Sequence, residues 1–148
     1  MTMRSQRLSD NPRLRPQPAT AGEIADLFKV VERDLGDARV EALSADRRFA
    51  TAYNAALQLA TIALRAEGFR TRGEAHHRTT IEALSLILGS DVEGTADYLD
   101  ACRSRRNTVD YDGIGVATEA DVAELLREVE RLKAAVTEWL GRAHADLA

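Results

Sequence analysis

Between Cys102 and Gly113 the chain reads Cys-Arg-Ser-Arg-Arg-Asn-Thr-Val-Asp-Tyr-Asp-Gly, with Arg103, Arg105 and Arg106 inside four positions of a protein whose formal net charge is −4. A guanidinium pairs bidentately with phosphate oxygens, so such a cluster is a local anion site even where no global field draws an anion in. Cleaving RNA without a metal needs a base for the 2′-hydroxyl, an acid for the leaving oxygen and a cation for the phosphorane. Arg106 can supply the cation and Asn107 can position backbone or phosphate. Asp110 and Tyr111 stand where proton carriers would be needed. Histidine is the usual carrier near neutral pH. A free tyrosine titrates near about 10 and a free aspartate near about 3.9, so neither shuttles protons at pH 7 without strong tuning.

The remaining chemistry is sparse. His76 and His77 open a different helix, and from there they could reach the same cleft in place of the absent histidine. Glu74 and His77 have the Glu-x-x-His spacing of carboxylate di-metal bundles, but such a site needs a second copy of the motif and further carboxylates, and only His144 remains elsewhere. No metal or other cofactor is therefore expected. There is no Gly-rich phosphate loop and no nucleophile elbow. Cys102 is the single cysteine, which excludes an internal disulfide framework and fits a reducing cytoplasm.

The elements that must hold these residues are helical. The chain has 148 residues, 45% of them hydrophobic, enough for one core. Its prolines, Pro12, Pro16 and Pro18, all lie near the start, together with Arg4, Arg7, Arg13 and Arg15. Residues 1–20 thus read as a basic, poorly ordered tail ahead of a domain over 21–148. The tail lacks the apolar core of a secretory signal. No apolar run approaches the roughly 20 residues of a membrane span.

Apolar residues recur at helical spacing in five stretches. The first covers about Ala21–Leu35, closed by Gly36. The second covers about Ala45–Glu67 with Ser44 as N-cap; its polar stripe is Arg47, Thr51, Asn54, Gln58, Thr61 and Arg65. After a basic loop from Gly68 to Glu74, the third runs from about Ala75 to Leu88. On a regular helix His76 and His77 are about 100° apart. The fourth covers about Asp91–Val109, and its stripe of Val92, Ala96, Leu99 and Cys102 continues onto Arg106. The last covers about Glu119–Ala143, with Thr118 and Asp121 as a capping box. Five helices and no strand pattern predict an all-α, up-and-down bundle.

Arg-Arg-Asn-Thr-Val-Asp-Tyr at the end of the fourth helix resembles the signature of HEPN domains (higher eukaryotes and prokaryotes nucleotide-binding), in which an arginine, often followed by asparagine, precedes a histidine. The Tyr53-Asn54-Ala55-Ala56 helix, the Gly68-Phe69 ending, the His76-His77-Arg78 helix start and the closing amphipathic helix also resemble that fold, over about Ala21–Ala143. Tyr111 stands where the histidine would be. The resemblance implies a homodimer formed through the motif helices, with a composite cleft. It also implies a toxin–antitoxin or defence setting with a cognate antitoxin, of nucleotidyltransferase-like or other type. RNA would then meet Arg103, Arg105, His76 and His77, and Arg106, Asn107, Asp110 and Tyr111 would form the catalytic group of a metal-independent endoribonuclease.

A second reading uses the same residues without catalysis. Arg106 and Asp110 are four apart and can form an intrahelical pair worth about 0.2–0.5 kcal/mol, and arginines near a helix C-terminus suit its dipole. Arg106 on an apolar stripe also suits a two-fold interface, where it could meet the partner copy's acid. The protein would then be a non-catalytic helical dimerisation or protein-interaction module.

Overall fold

In the computed structural model the backbone is described for residues 3–72, 76–112 and 116–148, and side chains for 6–72, 76–105 and 116–148. Six α-helices account for most of the described chain: α1 (Met3–Asp10), α2 (Ala21–Ala38), α3 (Ala45–Ala66), α4 (His76–Leu88), α5 (Glu93–Asp112) and α6 (Glu119–Ala143). Two short strands, β1 (Leu14–Pro16) and β2 (Phe69–Thr71), pair antiparallel, and a 3-10 turn over Ser90–Val92 leads into α5. The all-α bundle expected from the periodicity is the observed architecture. No helix among the described residues is long and apolar enough to cross a membrane.

The bundle is built around α3, which packs against α2, α4, α5 and α6. Its alanines explain why. Ala52, Ala55, Ala56, Ala60 and Ala63 are fully buried and let neighbouring helices approach closely on several sides. Phe49, Leu59, Ile62 and Leu64 fill the space between. The long stripe of α6, from Val122 through Leu125, Val129, Leu132 and Val136 to Trp139 and Leu140, lies entirely in the core.

Helix ends follow the local chemistry. The Ser44 hydroxyl accepts from the Arg47 amide at 3.2 Å, and Thr20 does the same for Glu23 at 3.1 Å. At α6 the capping box is complete: Thr118 Oγ1 accepts from the Asp121 amide, and the Asp121 carboxylate accepts from the Thr118 amide. Gly36 does not stop α2, which continues to Ala38; its φ stays helical, so nothing there forces a break. Gly68 has φ +91° and Gly89 φ +103°, conformations that disfavour a side chain, and these two do end α3 and α4.

The N-terminal stretch differs from the expected loose tail. α1 packs on α4, and Leu8 and Leu14 are both buried. Leu14 pairs with Thr71 and Pro16 with Phe69. The ladder is extended by Gln17 donating to Gly68 O and Arg72 to Arg13 O, each at 2.7 Å. Mean composition misjudged the segment because two well-placed leucines anchor it. Each buried leucine contributes about 2 kcal/mol, enough to offset part of the ordering cost of the chain around it.

Candidate nucleic-acid interface

The arginine cluster occupies the C-terminal half of α5. Ala96, Leu99 and Cys102 are buried as their spacing requires, so this face of α5 points into the core up to one turn before Arg106. Arg106, Asn107, Asp110 and Tyr111 belong to α5, and their side chains lie outside the described residues.

The two neighbouring arginines have intramolecular partners. Arg103 Nε donates to Asp100 Oδ1 at 3.1 Å, an i, i+3 pair on the helix surface. Arg105 makes a more extensive set of contacts. Its Nη2 donates to Asp121 Oδ2 at 2.6 Å and to Val116 O at 3.0 Å, while its guanidinium carbon sits 5.2 Å from the centre of the Phe49 ring. The Arg105 bond, followed by the Thr118 amide and hydroxyl, holds the Asp121 carboxyl far below the usual carboxylate range. Asp121 raises the Arg105 pKa in return.

This pair belongs to a larger clamp around the start of α6. Asp46, in the first turn of α3, accepts from the Ala117 amide at 2.9 Å. Arg48, two residues further along α3, donates from Nε to Ala38 O at 2.8 Å and pairs with Glu119. The segment entering α6 is therefore tied to α3 through Asp46 and Arg48 and to α5 through Arg105. None of these ties is readable from local spacing, because Asp46, Arg48 and Arg105 find partners far along the chain.

Behind the cluster the helix is chemically quiet. Burial pushes the Cys102 thiol up to about 11, so it is neutral near pH 7. Tyr98, one turn earlier, has its hydroxyl pushed well above the usual value, first by burial and then by the neighbouring Cys102 and Glu124. Neither is a proton carrier at neutral pH.

His76 and His77 gather elsewhere. They line a cleft of about 120 Å³ between α3, β2 and the start of α4, with Leu57, Thr61, Leu64, Arg65, Arg70, Thr71 and Thr80. Both histidines reach it although they differ by 100° around the helix, because the cleft lies at the end of α4 rather than along one side. No described residue of α5 lines it. The His76 Nδ1 is 2.9 Å from Thr71 Oγ1, and the His77 ring lies 6.2 Å from that of the buried Tyr53.

The sequence reading missed Arg65. It stands on the polar stripe of α3, yet its side chain is 3% exposed. Nε and Nη2 donate to the two Glu23 oxygens at 3.1 and 2.9 Å. Nη1 donates to Gln17 O and Phe69 O, and Nη2 also to Pro18 O. Arg70 adds a bond to Glu23 Oε1 at 3.0 Å and one to Gln17 Oε1 at 3.1 Å. The Arg65 bond leads the effects that lower the Glu23 pKa. Apart from Phe69, the Arg65 partners lie more than forty positions away, so no local pattern marks them.

Comparison with protein-family models, with curated proteins and with solved structures gives no match for this chain.

Proposed function

We propose that this protein is a HEPN-like, cytoplasmic RNA-binding homodimer of a prokaryotic toxin–antitoxin or defence system, with the C-terminal half of α5 as its RNA-facing element. The supporting observation is the Arg103–Tyr111 cluster at the end of a helix whose preceding turns are fixed in the core by Leu99 and Cys102. A site on a rigid helix holds its groups more accurately than one on a loop. In this reading Arg106 pairs with a phosphate, and Asn107 orients it. If the dimer cleaves RNA, Arg106 stabilises the phosphorane, and Asp110 and Tyr111 of the composite cleft handle the protons. Arg105 then acts as a positioning residue, because its guanidinium holds α5 against the start of α6.

The test is binding and cleavage of labelled single-stranded RNA by purified protein, with Arg106→Ala as control. Salt-sensitive binding that the substitution weakens supports the reading. Absence of binding, or binding indifferent to Arg106→Ala, overturns it.

One observation favours a second reading. The described arginines of the cluster, Arg103 and Arg105, are engaged with Asp100 and with Asp121 and Val116. A cluster used internally in this way suits a non-catalytic dimerisation or protein-interaction module. Mass measurement in solution distinguishes the two: under this second reading Arg106→Ala converts a dimer to a monomer without any RNA phenotype.

A further inference from the structure

We propose that the cleft between α3, β2 and α4 is a binding pocket for one pyrimidine nucleotide, with the ring in the cleft and its phosphate at Arg70. This deepens the RNA reading by adding a second contact site away from α5, and the pocket can equally take a free nucleotide.

Size is the first argument. The cleft measures about 120 Å³. An apolar cavity of about 150 Å³ accommodates benzene, so this space suits a single six-membered ring better than a fused purine. The walls are the second. Leu57 and Leu64, both buried, give an apolar surface for a ring face. Thr61 and Thr80 hydroxyls also line the space, and each donates its proton to a carbonyl of its own helix, Leu57 O at 2.8 Å and His76 O at 2.7 Å. Each oxygen therefore keeps lone pairs able to accept from a ring N–H or an exocyclic amine. An apolar face with a few acceptors at its edge is how unstacked bases are held.

Charge is the third argument. One Glu23 carboxylate serves two guanidiniums, Arg65 and Arg70. Arg65 is enclosed, and every nitrogen of its guanidinium is already donating. The uncompensated charge thus belongs to Arg70, whose side chain is 40% exposed. Among the described residues Arg70 donates through Nε and Nη2 only, so Nη1 is available to a phosphate oxygen. His76, with Nδ1 on Thr71, retains Nε2 as a second polar contact on the rim.

The experiment titrates the full chain with UMP, CMP, AMP, uridine and inorganic phosphate by calorimetry, and with a short oligo-uridine RNA. Thr61→Phe fills the cleft, and Arg70→Gln removes the charge; thermal melting establishes that each variant is folded. Among the described residues Thr61 bonds only within its own helix, so the first variant leaves the Glu23 network intact. The expected result is saturable binding of UMP and CMP, tighter than that of uridine, phosphate or AMP. Thr61→Phe should weaken it about tenfold or more by occupying the space. Arg70→Gln should weaken UMP but leave uridine unchanged. No saturable binding of UMP, AMP binding as tightly as UMP, or UMP binding unchanged in folded Thr61→Phe overturns the proposal. UMP binding that depends on Thr61 without any RNA binding would keep the pocket and refute the RNA reading. RNA binding that depends on Arg106 and not on Thr61 would do the reverse.

Discussion

Arg105 on α5 and Asp121 on α6 form a 2.6 Å charge-assisted bond that joins two elements of quite different standing. α6 is an amphipathic helix whose apolar stripe is buried from its first turn to its last, whereas α5 is weakly amphipathic and ends in the arginine cluster. The Asp121 carboxylate meets three demands at once. It caps its own helix through the Thr118 amide, receives Arg105, and sits where the N-terminal end of the helix dipole favours a negative charge. Arg105 also holds Val116 O, so a single guanidinium ties both the entry to α6 and its first turn to α5.

The depressed Asp121 pKa sets the direction of an acid response. An unfolded aspartate titrates near about 3.9, and the folded one titrates well below it. Between those values the unfolded chain binds the extra proton, so stability is full above about pH 5 and declines as the pH falls further. Asp121→Asn keeps the shape and removes the charge. The variant should be less stable at pH 7, and the gap from the parent protein should narrow as the pH drops from 5 towards 2. Urea unfolding followed by circular dichroism across that range measures it; parallel stability profiles would contradict the assignment.

Arg65 should be the most sensitive polar residue of the fold. Arg65→Ala would leave three backbone carbonyls without this donor and the Glu23 carboxylate with Arg70 as its remaining guanidinium, in a largely enclosed site. Removing one member of a buried, hydrogen-bonded ion pair costs about 3–5 kcal/mol. Glu23 itself is 30% exposed, so Glu23→Gln should cost clearly less, with water replacing part of what is lost. Chemical denaturation of the two variants gives the ranking, and equal losses would mean that the carbonyl contacts contribute little.

These residues also mark where sequence reasoning succeeded and where it stopped. The ranges of α3 and α6, Ser44 as a cap and the Thr118–Asp121 box were legible, because helix periodicity and capping are local rules. Arg65 reads as part of the polar stripe of α3, yet strand β2 and residues 17–18 cover it, which no one-dimensional period encodes. The clamp of Asp46, Arg48 and Arg105 is equally non-local. Whether His76 and His77 reach the arginine cluster was open on the sequence alone; they line a cleft to which no described α5 residue contributes. The catalytic candidates Arg106, Asn107, Asp110 and Tyr111 remain a reading of residue types and spacing.

The docked N-terminal segment gives a further prediction. Leu8 is 1% exposed, on a helix that packs against α4. Truncating a buried leucine to alanine costs about 2–5 kcal/mol, with the lower part of that range expected for a site near a terminus that can relax. Leu8→Ala should destabilise the protein by about 2 kcal/mol, whereas Arg7→Ala, on an exposed position one residue earlier, should change it by less than about 0.5 kcal/mol. A loose tail would give no difference between the two in urea unfolding.

Cys102 offers the last test, because its thiol reports directly on the packing of α5 beneath the arginine cluster. The side chain is 4% exposed, and burial pushes its pKa to about 11. The unfolded thiol titrates near about 8.5. At pH 8 the folded protein therefore has roughly a hundredfold less thiolate than the unfolded chain, and access is restricted as well. A disulfide reagent such as dithionitrobenzoate should react slowly with the native protein and rapidly in urea. Between about pH 8.5 and 11 the folded state holds the proton that the unfolded chain has released, so stability should fall as the pH rises through that window, and Cys102→Ala should remove that part of the slope. Fast labelling of the native protein at pH 8 would mean that the core face of α5 opens one turn before Arg106, and the rigid platform required for phosphate binding there would be lost.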